Sequence, residues 1–108
     1  MSLKDLSRSA QEAFLETAQF VVKTDGIISV EEAQHMSMYR RELNISEEDY
    51  PADGKGNKLE EAIEVLRRLP KYERTVIYDE LERLAKCDFD YNSSERIVIN
   101  AIKDMLEV

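Results

Sequence analysis

The sequence predicts an all-α protein, a single helical domain of about five main helices spanning residues 1–108. Three observations predict it. Apolar residues recur at intervals of three and four along most of the chain. Only three glycines and two prolines are present, too few turn residues for the many short strands of a β-protein. One helix-turn-helix pattern also occurs twice, so we expect two similar units joined by a middle helix.

The first helix is predicted from near the N-terminus to about Thr24. Its apolar stripe comprises Leu3, Leu6, Ala10, Phe14, Ala18 and Val21. Asp25-Gly26 ends this helix, because glycine readily adopts the left-handed conformation found at helix C-termini. The segment Ser29-Val30-Glu31-Glu32 has the form of a capping box, in which serine and glutamate bond each other's backbone amides. A second helix is therefore expected there, burying Ala33, Met36, Tyr39 and Leu43.

The middle of the chain predicts one further helix between two breaks. Ser46 to Tyr50 is compatible with one helical turn, and Pro51 to Asn57 reads as a polar loop. The middle helix follows, with Leu59, Ile63, Leu66 and Leu69 as its apolar stripe. Pro70 closes it and opens the next helix, since proline is well tolerated in a first turn.

Two more helices are predicted after Pro70. The first is expected to bury Ile77, Leu81, Leu84 and Ala85. The second begins near Asn92 and is expected to bury Ile99, Ile102 and Leu106.

The internal repeat appears when the sequence is shifted by 63 positions. The turn residues then superimpose as Lys23 on Lys86, Asp25 on Asp88, Ser29 on Asn92 and Glu32 on Glu95. The apolar stripes superimpose as Phe14 on Ile77, Ala18 on Leu81, Val21 on Leu84, Met36 on Ile99 and Leu43 on Leu106. Because turn and core positions agree together, we interpret the chain as two helix-turn-helix units that bury their stripes against each other.

The two turns carry the candidate metal ligands Asp25, Glu32, Asp88 and Glu95. The first turn matches the second half of a calcium-binding EF-hand loop, but the early acids are missing and calcium wants about six to eight oxygens. Capping alone also explains the glutamates, because a carboxylate near a helix N-terminus is stabilised by about 0.3–1 kcal/mol. Both interpretations stay open: helix capping, or a weak site for a divalent cation such as calcium.

Composition limits the classes of partner and compartment. The formal net charge is −8, a field that repels phosphate backbones and so argues against nucleic acid. Cys87 is the single cysteine, which rules out an internal disulfide and suits a reducing cytoplasm. The sequence shows neither an apolar run of signal-peptide length nor the roughly 20 apolar residues of a membrane span. We therefore expect a cytoplasmic protein that is not inserted in a membrane.

No catalytic motif is visible in the sequence, which lacks a phosphate-binding loop, a nucleophile elbow and a His-Glu-x-x-His zinc pattern. His35, the only histidine, is expected on an exposed helix flank. Cys87 is expected to be a small buried residue. Met36, Met38 and Tyr39 would suit a pliable partner-binding groove, with Met38 the exposed member and Met36 in the core.

The segment from Lys23 to Glu32, Lys-Thr-Asp-Gly-Ile-Ile-Ser-Val-Glu-Glu after an apolar helix, resembles the signature of TerB-like domains of the tellurite-resistance family. Ala85 to Glu95 is similar to the weaker repeat of that signature, with Phe89 in place of its glycine. The resemblance implies an all-helical cytoplasmic domain without enzymatic activity, linked to stress responses. It further implies acidic turn residues suspected of binding metal, and membrane-associated or chaperone partners.

These observations predict a TerB-like interaction module with a protein partner, and with weak cation binding at the acidic turns. One alternative is a metal-dependent hydrolase or transferase, in which paired carboxylates hold a catalytic cation. A deep pocket joining these carboxylates to Tyr91 or Cys87 would favour that enzyme. A third possibility is a structural subunit that forms a homo-oligomer through its apolar C-terminus.

Overall fold

Helix α1 (Arg8–Val22) lies at the centre of an all-helical domain and packs against all four other helices. These are α2 (Val30–Leu43), α3 (Lys58–Arg67), α4 (Lys71–Ala85) and α5 (Ser93–Leu106). The computed structural model describes residues 2–23, 28–46, 58–87 and 93–108, and these ranges contain no strand. Small side chains at Ala10, Ala13 and Ala18 are buried on α1. Small side chains let neighbouring helices approach closely, and α3 makes the most extensive helix contact with α1.

The N-terminal segment differs from the expected continuous helix. A short 3-10 helix covers Leu3–Asp5, and α1 begins only at Arg8 because the Ser7 hydroxyl accepts a hydrogen bond from the Ala10 amide. Leu3 and Leu6 are nevertheless buried. The Gln11 side chain holds this segment by donating to the carbonyls of Leu3 and Leu6, both at 3.2 Å.

The predicted repeat is confirmed. Helices α1 and α4 both have 15 residues, α2 and α5 both have 14, and every bound of the second hairpin lies 63 positions after its counterpart. The buried apolar pairs are Phe14 and Ile77, Ala18 and Leu81, Val21 and Leu84, and Leu43 and Leu106. The structure therefore consists of two helical hairpins, α1–α2 and α4–α5, joined by α3.

Both hairpins also end in the same way. Asn44 and Glu107, 63 positions apart, are the two non-glycine residues with positive φ in the described ranges, at 56° and 57°. After each, an amide bonds back to the carbonyl five residues earlier, Ile45 to Arg40 and Val108 to Lys103. This pattern is the Schellman motif, which turns the chain inward after a helix. Ile45 is accordingly buried, and Val108 packs against the core.

An arginine from the first helix of each hairpin bonds the end of the second helix. Arg8 donates to the Leu43 carbonyl at 3.1 Å, and Arg74 donates to the Leu106 carbonyl at 2.8 Å. The two carbonyls are equivalent in the repeat, whereas Arg74 stands one helical turn later than the equivalent of Arg8. The hairpins therefore reproduce the same contact from different helix positions.

Some of the finer expectations need correction. Ala33 is exposed, because it borders the cavity that opens between α1 and α2. Leu59, near the start of α3, and Leu69, just after its end, are only half-buried. Pro70 is the N-cap of α4, one position before its first turn. The segments expected as a helical turn and a loop, 47–50 and 51–57, lie outside the described residues. Within the described ranges no helix combines the length and apolar character that crossing a bilayer requires.

Candidate partner-binding site

The first acidic corner is organised by helix capping. The Ser29 hydroxyl accepts a hydrogen bond from the Glu32 amide, and Glu32 Oε1 accepts one from the Ser29 amide, both at 3.0 Å. This confirms the predicted capping box. Glu32 is only 2% exposed, so its carboxylate is part of the packed corner of the hairpin.

The second corner repeats this placement. Glu95 lies in the first turn of α5 and is also 2% exposed. Its predicted companions Asp88 and Asn92, like Asp25 of the first corner, lie outside the described residues. Each described corner therefore supplies one buried glutamate, far fewer oxygens than a calcium ion requires. Within the described ranges no group of three His, Cys, Asp or Glu side chains is placed to hold a metal ion, so the described residues do not by themselves form a metal site.

A groove of about 270 Å³ lies between α2 and α4, and the first residues of the N-terminal segment, Ser2 and Leu3, also line it. Its apolar surface comes from Leu3, Tyr39, Val76 and the 44% exposed Met38. Its polar surface comes from Ser2, His35, Glu42, Glu80 and Arg83. Two carboxylates and one guanidinium give the groove a negative balance when His35 is neutral.

A polar network crosses the floor of this groove. The Tyr39 hydroxyl donates to Glu80 Oε2 at 3.1 Å, and Arg83 Nη1 donates to Glu80 Oε1 at 2.6 Å. Burial of Tyr39 and the neighbouring Glu80 carboxylate raise the pKa of this phenol above its ordinary value, so it stays protonated as a donor. The Tyr39 ring packs edge-on against Phe14 at a centroid distance of 5.0 Å. The network thus ties α2 to both α1 and α4.

The two methionines singled out on α2 lie as expected, whereas His35 and Cys87 do not. Met38 is exposed at the groove, while Met36 is half-buried against the core. His35 is half-buried at the groove wall, with Nδ1 3.0 Å from the Glu31 carbonyl, and so is less exposed than expected. Cys87, which was expected to be buried, is only half-buried because it lies just after the end of α4. Tyr91, which would favour an enzyme if it joined the carboxylates, lies outside the described residues.

No protein-family model, curated protein or solved structure matches the chain. The likeness to TerB-like domains therefore depends on the quoted sequence segments alone. What the chain does has to be inferred from its own surface.

Two other surface features bear on binding. A cavity of about 210 Å³ opens between α1 and α2, with Val22, Ile28 and Met36 among its lining residues. Helix α5 has an exposed stripe at a spacing of four residues, formed by Ile97, Ala101 and Met105. The groove between α2 and α4 differs from both, because it combines apolar side chains with a partly buried hydrogen-bond network.

Sequence reasoning identified the α2 side of the groove through Met38 and Tyr39 but missed the α4 side. Val76, Glu80 and Arg83 follow one another at intervals of four and three, so they share one face of α4. That spacing was the available signal. This second face of α4 was not predicted, because the buried stripe through Ile77 and Leu81 dominates the apolar pattern of the helix.

Proposed function

We propose that this protein is a non-enzymatic interaction module that binds a protein partner in the groove between α2 and α4. The observation that carries the proposal is the exposed Met38 beside a preformed groove whose floor is held by the Tyr39 and Glu80 hydrogen bond. Methionine adapts to irregular partner surfaces. Because the Tyr39 and Glu80 hydrogen bond already orders the floor of the groove, binding avoids the entropic cost of ordering it. The stress-response setting implied by the TerB-like segments belongs to the same proposal.

Site-specific photo-crosslinking in the native cell tests this role. A photoreactive benzoylphenylalanine replaces Met38 in one variant and Met105 in another. Met105 is the matched control, because it is a methionine of similar exposure, 41%, on the last turn of α5. We expect discrete heavier adducts from position 38 and none from position 105. No adduct at position 38, or the same adducts from both positions, would contradict the proposal.

The stress-response part has its own test. A deletion strain should lose resistance to tellurite, and the wild-type gene should restore it. The Met38→Asp variant should fail to restore it while the Met105→Asp variant succeeds. Resistance that does not change on deletion would remove the stress-response part and leave the binding role intact.

Weak divalent-cation binding at the acidic turns is a second proposal. It is supported by the equivalent positions of Glu32 and Glu95, each of which follows an acidic residue, Asp25 or Asp88, by seven positions in the sequence. A titration with calcium or manganese followed by NMR tests it. Amide shifts or line broadening centred on these four residues would support a site. A spectrum that does not change at millimolar metal would refute it and leave the two glutamates as capping residues.

A further inference from the structure

We propose that the groove between α2 and α4 accepts a basic amphipathic helix of another protein, beside the N-terminal segment and on the side of the molecule that the repeat relates to α3. This inference rests on the proposed interaction role and adds the chemistry of the partner. It follows from the internal repeat, from the burial of equivalent residues and from the charges at the groove.

The repeat relates two pairs of helices. Since α1 corresponds to α4 and α2 to α5, the pair α4–α2 has its counterpart in the pair α1–α5, and both pairs are in contact. Helix α3 packs against α1 and α5. The counterpart of α3 on α4 and α2 is shorter in the described residues: Leu3 and Leu6 lie 63 positions before Leu66 and Leu69, and the 3-10 turn Leu3–Asp5 packs against α2. In the described residues one side of the repeat is therefore covered by the ten residues of α3, and the equivalent side by one short turn with a groove beside it.

Burial of equivalent residues locates the open side. On α1, Ala13 is 5% exposed and Thr17 is fully buried. Their counterparts on α4, 63 positions later, are Val76 and Glu80, which are half-buried and line the groove. The face of α1 that is covered thus corresponds to the face of α4 that borders the groove. Leu3 of the N-terminal segment occupies only part of this space.

The size of the groove favours inserted side chains over an enclosed small molecule. Pockets for drug-sized ligands have volumes of roughly 300–1,000 Å³, above the volume of this groove, about 270 Å³. Helices commonly bind such grooves through apolar residues at i, i+3 or i+4, and i+7. Within this chain, α3 packs in a comparable way, since it buries its apolar residues Ala62, Ile63 and Leu66.

Charge selects a basic helix. Glu42 and Glu80 line the groove, and since Arg83 pairs with Glu80, Glu42 is the carboxylate that gives the groove its negative balance. The chain as a whole carries a formal charge of −8, which speeds association with a cationic partner. It also disfavours two other occupants, a second copy of this chain and its own segment 47–57, which contains Glu47, Glu48 and Asp49.

Selection from a displayed peptide library tests the partner chemistry on the full-length protein. The peptides are about 12 residues long, enough for three helical turns, with leucine fixed at i, i+4 and i+7 and the other positions drawn from lysine, glutamate and neutral residues. We expect the selected peptides to be rich in lysine. They should bind about tenfold tighter than versions with lysine and glutamate exchanged, and less tightly as salt is raised.

Matched variants locate the binding surface. The Met38→Asp and Glu42→Lys variants should each weaken binding of a selected peptide by about tenfold, the effect expected for a central interface residue. The Met105→Asp variant should stay within about twofold of the wild type. Circular dichroism of the three variants checks that each remains folded, and NMR shifts should centre on Met38 and Val76.

The possible outcomes separate the two proposals. Basic peptides that bind at Met38 support both. Acidic or neutral peptides that bind at Met38 overturn the basic-helix inference and leave the interaction role standing. Peptides that bind elsewhere, including the cavity beside Ile28 or the α5 stripe, overturn the assignment of the groove and with it both proposals. A library that yields no binder above the scrambled background does the same.

Discussion

The two helical hairpins share their backbone design and differ in what surrounds them. The bounds of the hairpin helices and the two left-handed residues recur after 63 positions. The arginine contact with the carbonyl at the end of the second helix also recurs, from a position one helical turn later. Yet α1 is buried on nearly all sides, while α4 keeps a charged outer face. The difference arises because α3 covers one hairpin more than the other. The duplicated scaffold therefore has a groove beside α4, where its covering is incomplete.

Among the variants considered, exchanging equivalent residues between α1 and α4 should change the free energy of unfolding the most. The Thr17→Glu variant places the residue of Glu80 into a fully buried position, where an unpaired charge should cost about 3–5 kcal/mol of unfolding free energy. The reverse exchange, Glu80→Thr, should cost only about 1–3 kcal/mol, through the lost bond to Tyr39. Urea denaturation measures both. Equal costs would show that α1 and α4 are covered alike.

Arg8 and Arg74 should also differ in how much they contribute to the free energy of unfolding. Arg74 has a side chain only 14% exposed and a 2.8 Å bond to Leu106, whereas the Arg8 side chain is 50% exposed. We expect Arg74→Met to cost about 1.5–3 kcal/mol, the value of a bond to a charged donor, and Arg8→Met about 0.5–1 kcal/mol. Methionine keeps most of the aliphatic packing. Thermal unfolding compares them, and a larger loss for Arg8 would reverse the expected order.

Tyr39 marks a further difference, because its counterpart in the second hairpin is the apolar Ile102. The Tyr39→Phe variant should lose about 1 kcal/mol at neutral pH. Since the pKa of Tyr39 is raised in the folded protein, its contribution is complete below the unfolded value of about 10 and is lost as pH rises above it. The wild type should therefore lose stability more steeply than Tyr39→Phe above about pH 10. Parallel curves from urea denaturation across this range would contradict the prediction.

Substitutions at the C-terminal ends of α2 and α5 should have the smallest effect on the free energy of unfolding. Asn44 and Glu107 have nearly the same positive φ, but asparagine adopts this conformation more readily than glutamate. Glu107→Gly should therefore raise the unfolding free energy by about 0.5–1 kcal/mol, and Asn44→Gly should change it by less. Chemical denaturation of the pair checks this order. An equal gain at both positions would show that the side chains do not matter there.

Much of the fold was predictable from local patterns. The capping box at Ser29 and the buried stripe of α4 each depend on residues within a few turns of one another, and the repeat depends on such local patterns recurring after 63 positions; all three are confirmed. The early start of the first helix was predicted wrongly because Leu3 and Leu6 continue the apolar spacing of α1. The pattern records which residues are buried, but it does not distinguish a helix from a separate segment folded back onto the core.

The candidate site was only half predictable. Met38 and Tyr39 could be singled out on α2 from their residue types, but their pairing with Val76 and Glu80 depends on how α2 packs against α4. Two hairpins with matching patterns also gave no signal that α3 would cover α1 more extensively than α4.

The sequence by itself determined the helical class, the duplication, the capping of α2 and the negative charge, because these follow from periodicity, local hydrogen bonding and composition. Tertiary structure decided which face of the repeat stays open and which side chains meet there. The physical reason is that helix α3 carries a single buried stripe and covers only one of the two related faces.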